Sequence, residues 1–399
     1  MITRRVLLKK LAGLPLVGGL FGTSAFADIS ASAPLARRDY FKELGVRTFI
    51  NAAGTYTFMS GCLMRPEVIE AYNYATNEYV ILDDLQDRVG ERIAELLHCE
   101  AATITAGAAS AITLGTAGVL SGMDQKKVVQ IPDLTGMKSE VIMQKSHFIG
   151  YAHAIRNCGV SLVEVETKRE LERAINEKTA MMWFFNNNNL VGQVRDEEFV
   201  EIAKKHDIPT FNDCAADVPP VENLWKYTEM GFDLVAFSGG KGLRGPQSGG
   251  LLLGKKKYIQ AARLHAAPRG NTVGRGMKVN KEEVLGMLAT IESYLTRDHK
   301  KDWALWEAQI ETIRSAAASV PGVVAEVHVP KIANHVPSLK LTWDENKVGM
   351  TIDEMRQKLR DGHPSIETIG NKTSVAITTW MMQPGQERTV ARRIKEIMS

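Results

Sequence analysis

Cysteine is scarce in this 399-residue sequence, which contains four: Cys62, Cys99, Cys158 and Cys214. No two of them form a CxxC pair, and none stands in a Cys/His cluster with the spacing of a zinc site. We therefore expect free, mostly buried thiols and no metal centre.

An excess of one charge is also absent. The chain has 49 basic and 46 acidic residues, and without residues 1–27, which carry four basic residues and no acid, the net charge is −1. Nucleic-acid binding relies on Lys and Arg against phosphates, so we expect no nucleic-acid partner. With 44% hydrophobic and 24% charged residues, the chain reads as an ordinary globular protein, long enough for two domains.

The sequence has one long apolar run, from Leu11 to Phe26 at the N-terminus. Its 16 residues fall short of the roughly 20 that span a bilayer. The run follows Thr3-Arg4-Arg5 and ends in an Ala-x-Ala pattern at Ala27. This predicts a twin-arginine signal at residues 1–27 and a folded protein exported to the periplasm or beyond, without stable membrane insertion after cleavage. A plain signal or an uncleaved anchor helix is the alternative.

Short apolar segments alternate with helical patterns through the middle of the chain, which predicts an α/β fold with a mostly parallel sheet. Helical patterns cover 68–97 and run from Lys281 to Ser319, and a smaller α+β domain follows with strands near 323–328 and 338–343 and helices near 352–359 and 387–398. The strand candidates of the first part are 101–105, 128–131, 140–143, 161–165, 181–185, 209–212, 234–237 and 250–253.

Three features lie where such strands end. Lys241 stands in the glycine-rich segment Phe-Ser-Gly-Gly-Lys-Gly-Leu-Arg-Gly, and Asp213 follows an earlier strand. The Ala-Gly-Ala-Ala turn at 106–109 opens a helix, whose N–H groups and dipole favour a phosphate. Ser238 could add a hydroxyl. Pyridoxal 5'-phosphate (PLP) needs an amine for its aldehyde, a carboxylate at its ring nitrogen and a donor-rich phosphate cradle, so we predict this cofactor.

From about Tyr40 onward the chain resembles the selenocysteine synthase-like family of fold-type I PLP enzymes, and within it the paralogues related to D-glucosaminate-6-phosphate ammonia-lyase. The resemblance rests on motifs that include Ile50-Asn51-Ala52-Ala53-Gly54-Thr55-Tyr56, Gly90-Glu91-Arg92, Thr105-Ala106-Gly107-Ala108-Ala109, Phe237-Ser238-Gly239-Gly240-Lys241 and Gly274-Arg275-Gly276-Met277-Lys278.

The resemblance implies that Lys241 is the Schiff-base lysine, that Asp213 is the ring-nitrogen partner, and that Gly107, Ala108 and Ser238 hold the phosphate. It implies an arm at 28–55, a large domain at 56–280 with a mostly parallel seven-stranded sheet, and a linking helix and small C-terminal domain at 281–399. It also implies a homo-oligomer whose sites are shared between subunits, with the 51–56 and 275–278 stretches contributed by a neighbour.

Further site residues are predicted by position. His147 follows a strand where related enzymes place a group over the cofactor, although a lone histidine is more often structural. Arg244 is a candidate for binding a substrate anion, because a guanidinium grips a carboxylate with two parallel bonds; an interface salt bridge is the alternative. Arg275 and Tyr56 are further candidates for substrate binding.

Lys241 as a base leaves several reactions open. We expect a lyase that eliminates from a free hydroxylated amino acid or amino-sugar acid and releases ammonia. The alternatives are an amino-acid racemase, a selenocysteine synthase-like β-replacement transferase and a catalytically silent PLP-binding protein. Only about a dozen residues of the predicted mature chain precede Tyr40, so we expect no N-terminal tRNA domain of the kind that bacterial selenocysteine synthases carry. Predicted export makes a phosphorylated substrate doubtful. The segment 376–382 contains no arginine for an aminotransferase-type carboxylate clamp, which argues against transamination.

Overall fold

A computed structural model describes residues 38–399, and the predicted signal at 1–27 lies outside them. Two compact units divide at Thr48. In the first, the described residues form a short helix, α1 (Tyr40–Glu43), which begins where the Asp39 side chain accepts a hydrogen bond from the Lys42 backbone N–H. The second unit, Phe49–Ser399, contains the elements described below.

A seven-stranded sheet forms the centre of the second unit, in the order β2-β8-β7-β6-β5-β3-β4. All neighbours pair in parallel except at β8, which is antiparallel to both β2 and β7. The strands are β2 (Ala101–Thr105), β3 (Glu140–Gln144), β4 (Ser161–Val165), β5 (Thr179–Phe185), β6 (Thr210–Asp213), β7 (Leu234–Ser238) and β8 (Gly250–Gly254).

Both faces of this sheet are buried, since successive side chains of a strand point to opposite faces. In β7, Val235 and Phe237 belong to one apolar core and Leu234 and Ala236 to the other. The helices of this part of the chain are α2 (Pro66–Ala75), α3 (Leu82–Leu96), α4 (Gly107–Ser121), α5 (Gln125–Gln130), α6 (His153–Arg156), α7 (Lys168–Ala174), α8 (Asp196–Lys205), α9 (Asn223–Met230), α10 (Lys256–His265) and α11 (Lys281–Thr296).

The C-terminal part has a core of its own around an antiparallel sheet of order β12-β13-β10-β9. Its elements are α12 (His299–Ala318), β9 (Val323–His328), β10 (Ser338–Trp343), α13 (Glu345–Val348), α14 (Ile352–Arg360), β11 (Ser365–Glu367), β12 (Ile369–Asn371), β13 (Ser374–Thr378) and α15 (Gln386–Met398). The predicted fold class is therefore confirmed: an α/β fold with a mostly parallel seven-stranded sheet, followed by a smaller α+β part.

Some predicted elements are wrong. The strand candidate at 128–131 lies in α5, which begins at Asp124, whose carboxylate accepts a hydrogen bond from the Lys126 backbone N–H. This cap favours a helix over the β preference of two adjacent valines. The helical pattern at 281–319 is two helices, because Arg297 is extended and Asp298 caps α12. The pattern at 68–97 likewise divides into α2 and α3.

The strands β11, β12 and β13 of the C-terminal part were not predicted, and neither was the short strand β1. β1 (Phe49–Asn51) pairs in parallel with β11 of the C-terminal part. Ile50 and Ala52 are buried in the C-terminal core, so this short strand holds the chain that follows it against that domain.

All four cysteines are free; Cys158 and Cys214 are buried, whereas Cys62 and Cys99 are partly exposed. Within residues 38–399, no His, Cys, Asp and Glu side chains group in a way that could hold a metal ion. In the same range, every helix is too short or too polar to cross a bilayer.

Candidate active site

A cavity of about 540 Å³ lies between the carboxyl edge of the large sheet and the C-terminal domain. This is the edge at which α/β proteins usually bind ligands. The predicted residues that line it are Tyr56, Gly107, Ala108, Asp213, Ser238 and Lys241. Tyr56 and Lys241 thus line one site although 185 positions separate them in the sequence.

Lys241 is positioned by a turn after β7 that only glycines allow. A Cβ at Gly242 would lie 1.9 Å from the Val218 carbonyl oxygen, and one at Gly239 would lie 2.3 Å from Met287 Sδ. The glycines therefore let this turn pack against other protein segments. Burial lowers the pKa of the Lys241 amine, and the charges of Asp213 and Asp217 oppose this shift.

Asp213 ends β6 and is 3% exposed. Its Oδ1 accepts a hydrogen bond from the Ala215 backbone N–H at 3.1 Å. Burial raises the pKa of the Asp213 carboxyl, while the positive charge of Lys241 and this hydrogen bond lower it. A carboxylate and an amine thus face each other across adjacent parallel strand ends, as the resemblance implies.

The N-terminus of α4 is open to the cavity. Its N-cap residue, Ala106, offers no side-chain acceptor to the first N–H groups of the helix. Gly107 has φ +82°, a conformation that favours glycine, and Gly107 and Ala108 both line the cavity with Ser238. Free N–H donors, the positive end of a helix dipole and a hydroxyl together suit a phosphate.

His147 is not at the cavity. The ring is fully buried, its edge lies against Phe184 with centroids 4.4 Å apart, and Nδ1 accepts the Phe185 backbone N–H at 3.2 Å. Burial lowers the pKa of His147 to about 4, so the ring is neutral at pH 7. The predicted position over the cofactor face is therefore not found: the ring turns into the core beneath β5, and this chain places Tyr151 on the cavity wall instead.

The two arginines also lie away from the cavity within one chain. Arg244 donates from Nε to the Leu63 carbonyl at 3.1 Å, and it adopts φ +59°. Arg275 is exposed in the loop before α11. Tyr56, 40% exposed, is the predicted substrate-binding residue that does line the cavity.

Several cavity residues were not predicted. Asp217 lies one turn beyond Asp213 and is 1% exposed. Thr378 and Trp380 come from the end of β13, and Asn187 from the turn after β5. The hydroxyl of Thr378, the indole N–H of Trp380 and Oδ1 of Asp217 are buried without a hydrogen-bond partner. Only Asp217 carried a sequence signal, a second acid four residues after Asp213.

These residues fit PLP. Lys241 would hold its aldehyde, Asp213 its ring nitrogen, and the α4 N-terminus with Ser238 its phosphate. Folding does not require an uncapped helix N-terminus or a buried carboxyl near a lysine. The helix N-terminus matches the phosphate of PLP, and the carboxyl matches its ring nitrogen.

Comparisons with known proteins agree with this assignment. The family model of L-seryl-tRNA selenium transferase matches residues 50–328. A D-glucosaminate-6-phosphate ammonia lyase of Salmonella typhimurium is 28% identical over 82% of this chain and 88% of its own length. A 5'-C-glycyluridine monooxygenase-decarboxylase of Streptomyces is 26% identical over 90% of this chain and 92% of its own length.

Solved structures extend the comparison. A structure of D-glucosaminate-6-phosphate ammonia-lyase superposes with a TM-score of 0.79 and 26% identity, covering 91% of this chain and 98% of the other. A serine palmitoyltransferase with bound PLP has a TM-score of 0.56 at 15% identity over 88% of this chain and 87% of its own, which shows a shared fold. The chain is thus a PLP-dependent enzyme of fold type I, and it belongs to the L-seryl-tRNA selenium transferase family.

Proposed function

We propose that this enzyme is an ammonia-lyase that eliminates water from a free amino-sugar acid or hydroxylated amino acid and releases ammonia and a keto acid. The observation that carries the proposal is the partly buried Lys241 side chain, which lines a cavity whose other walls are rich in neutral hydrogen-bonding groups. The ammonia-lyase relative and its solved structure support the same reaction class.

When bound, PLP supplies an electron sink that makes the α-proton of an amino acid acidic. Lys241 acts as the base for that proton, because burial lowers the pKa of its amine toward the range in which it is neutral. Asp213 would supply a buried carboxyl for the ring nitrogen, and the N–H groups of α4 would hold the phosphate.

The cavity wall favours a substrate with hydroxyl groups and without a phosphate. Among the described residues that line the cavity, Lys241 is the one lysine or arginine and His328 the one histidine, so a single chain offers a substrate phosphate few cationic groups. The neutral polar residues that could bind hydroxyls are Thr55, Tyr56, Tyr151, Asn187, Asn334, Ser338 and Thr378. We therefore propose the unphosphorylated acid as substrate.

The test is a substrate panel assayed with the purified, PLP-loaded protein. D-glucosaminate, D-glucosaminate 6-phosphate and both enantiomers of serine and threonine are incubated, and ammonia and keto acid are measured. We expect both products in equal amounts from an unphosphorylated member and none from Lys241→Ala. Inversion of the amino acid without release of ammonia would identify a racemase instead. Neither inversion nor ammonia from any member of the panel would identify a silent PLP-binding protein.

We propose a homo-oligomer with shared active sites and no nucleic-acid partner. The segment that follows the cavity residue Tyr56 exposes apolar side chains in the single chain, among them Phe58 at 79%, Leu63 at 61% and Ile81 at 69%. Several large exposed apolar side chains in one segment support a subunit interface there. Light scattering on the purified protein is expected to give a multiple of the chain mass, and a monomer would contradict the proposal.

Export by the twin-arginine route is proposed from residues 3–27 of the sequence. Fractionation of cells that express the full chain is expected to place the shortened enzyme in the periplasm. Replacing Arg4 and Arg5 with lysine should leave the full-length chain in the cytoplasm, with its PLP site intact.

A further inference from the structure

We infer that Asp217 is the general acid of the elimination: it donates a proton to the substrate β-hydroxyl as the carbon–oxygen bond breaks. The inference rests on the proposed lyase function and adds a residue to it. Hydroxide is a poor leaving group, so an enzyme that eliminates water needs a proton donor beside the base.

The position of Asp217 is fixed by its backbone. Its N–H donates to the Cys214 carbonyl at 3.1 Å, and its own carbonyl accepts from Asn223 Nδ2 at 2.7 Å. This places a second carboxyl one turn beyond Asp213, on the wall of the same cavity as Lys241. Asp217 Oδ1 is buried and has no hydrogen-bond partner within the chain. One oxygen of a carboxyl that is held on the cavity wall is thus left without a protein partner, and a ligand can supply that partner.

The surroundings favour the protonated form of this carboxyl, which is populated at neutral pH. Burial and the negative charge of Asp213 raise the pKa of Asp217 to about 7, against the lowering effects of Asn186, Lys241 and the Ala333 backbone N–H. The neighbouring Cys214 and Tyr227 are themselves neutral, since burial raises the pKa of both groups. Burial raises the pKa of Asp213 as well, whereas the positive charge of Lys241 and the Ala215 backbone N–H favour its carboxylate form.

The proton balance of the step is closed within the site. Lys241 takes the proton from Cα, the electrons of that C–H bond form the Cα–Cβ double bond, and the Cβ–O bond breaks. Asp217 gives its proton to the departing oxygen, so water leaves and the carboxylate remains. The proton on Lys241 then returns to Asp217, and hydrolysis of the released enamine consumes one water and yields the keto acid and ammonia.

A leaving-group comparison tests the inference. Asp217→Asn and wild type are assayed with a hydroxyl substrate of the panel and with β-chloroalanine, whose chloride leaves without a proton. Because a general acid contributes roughly 10²–10⁴-fold, we expect a loss of at least about a hundredfold on the hydroxyl substrate. The loss on β-chloroalanine should stay below about threefold. Equal losses on both would overturn the inference.

Two further readouts separate the possible failures. Exchange of the α-proton in D2O, followed by NMR, should persist in Asp217→Asn, because Lys241 is intact; its loss would mean that the variant has lost the base rather than the acid. In cofactor-free wild type, the infrared spectrum at pH 6 should contain a protonated carboxyl band that Asp217→Asn lacks, and its absence would overturn the inference without any turnover.

The surface variant Asp353→Asn serves as the control and should match wild type throughout, since the Asp353 side chain is 78% exposed. A wild-type enzyme that releases chloride but no ammonia from any hydroxyl substrate would overturn the proposed lyase function, and the assignment of Asp217 with it. Normal hydroxyl turnover in Asp217→Asn would overturn the assignment alone.

Discussion

Gly242 and Val218 are in such close contact that a methyl group on the glycine would stand 1.9 Å from the Val218 carbonyl oxygen. The turn that carries Lys241 therefore packs against the loop that follows Asp213 and contains Asp217. The base and both carboxyls are joined through this backbone contact as well as through charge.

The first prediction concerns this contact. Gly242→Ala should lower the free energy of unfolding by about 1–3 kcal/mol, because the added Cβ forces the two loops apart. It should also weaken PLP retention, measured as the cofactor absorbance left after dialysis. Gly270→Ala, where an added Cβ meets nothing within 4 Å, should do neither. Unchanged cofactor retention in Gly242→Ala would show that the contact does not position Lys241.

The second prediction concerns His147, which we expect to be structural. His147→Leu leaves the Phe185 backbone N–H without its acceptor and should cost about 1–3 kcal/mol of stability. His147→Asn can keep an acceptor near Nδ1 and should cost less. Both variants should keep the PLP absorption band, measured after loading; loss of the band in the Asn variant would return His147 to the list of cofactor residues.

Acidification provides a second measurement on the same residue. The pKa of His147 is about 4 in the folded protein and 6.5 ordinarily, so its contribution to stability is present above pH 6.5 and is lost as the pH falls toward 4. Urea unfolding of wild type should show this loss, and the part due to His147 should be absent in both variants.

The third prediction is a pH dependence of the opposite sign at Asp217. Its pKa of about 7 in the folded protein lies above the ordinary value of 3.8, so folding binds a proton between these values. The contribution of Asp217 to stability therefore falls by about 1.4 kcal/mol per pH unit as the pH rises from about 4 to about 7. Asp217→Asn removes this dependence, and its stability relative to wild type should increase across that range in urea titrations of the cofactor-free proteins. A constant difference would contradict the raised pKa.

The fourth prediction separates substrate binding from stability at Thr378. Thr378→Val removes a buried hydroxyl that has no partner, so the thermal stability of the substrate-free enzyme should be unchanged or higher. If this hydroxyl binds substrate, KM should rise several-fold at nearly constant kcat. Thr116→Val is the matched control, because the Thr116 hydroxyl is equally buried and unpaired but lies on α4 away from the cavity. A KM increase in both would point to a general effect on folding.

Much of the site could be predicted because parallel strands present their carboxyl ends at one edge. Asp213, Ser238 and Lys241 follow strands β6 and β7, and Gly107 follows β2, so the order of strands and turns was enough to bring them together. The large sheet was predicted for the same reason: its strands are short apolar runs bounded by turns.

What could not be predicted depends on packing between distant segments. Thr378 and Trp380 reach the cavity only because the C-terminal domain closes over the sheet edge. His147 follows β3 as predicted, but its ring packs against Phe184 of the neighbouring strand β5, a contact that the sequence does not indicate. The segment at 128–131 contains residues that favour strands, but it belongs to a helix because the capping carboxylate of Asp124 outweighs that preference.

The pairing of β1 with β11 has a consequence for biosynthesis. Phe49 is opposite Ser365, and residues 53–57, which follow β1, form one wall of the cavity. When the ribosome has made the first 300 residues, Lys241 and Asp213 have already emerged. At that stage β11, the strand that pairs with β1 and holds residues 53–57 in place, has not yet been made. The pocket can be completed only once residues 365–367 have emerged, more than 120 residues after Lys241, so the cofactor cannot be enclosed while the intervening segment is being made.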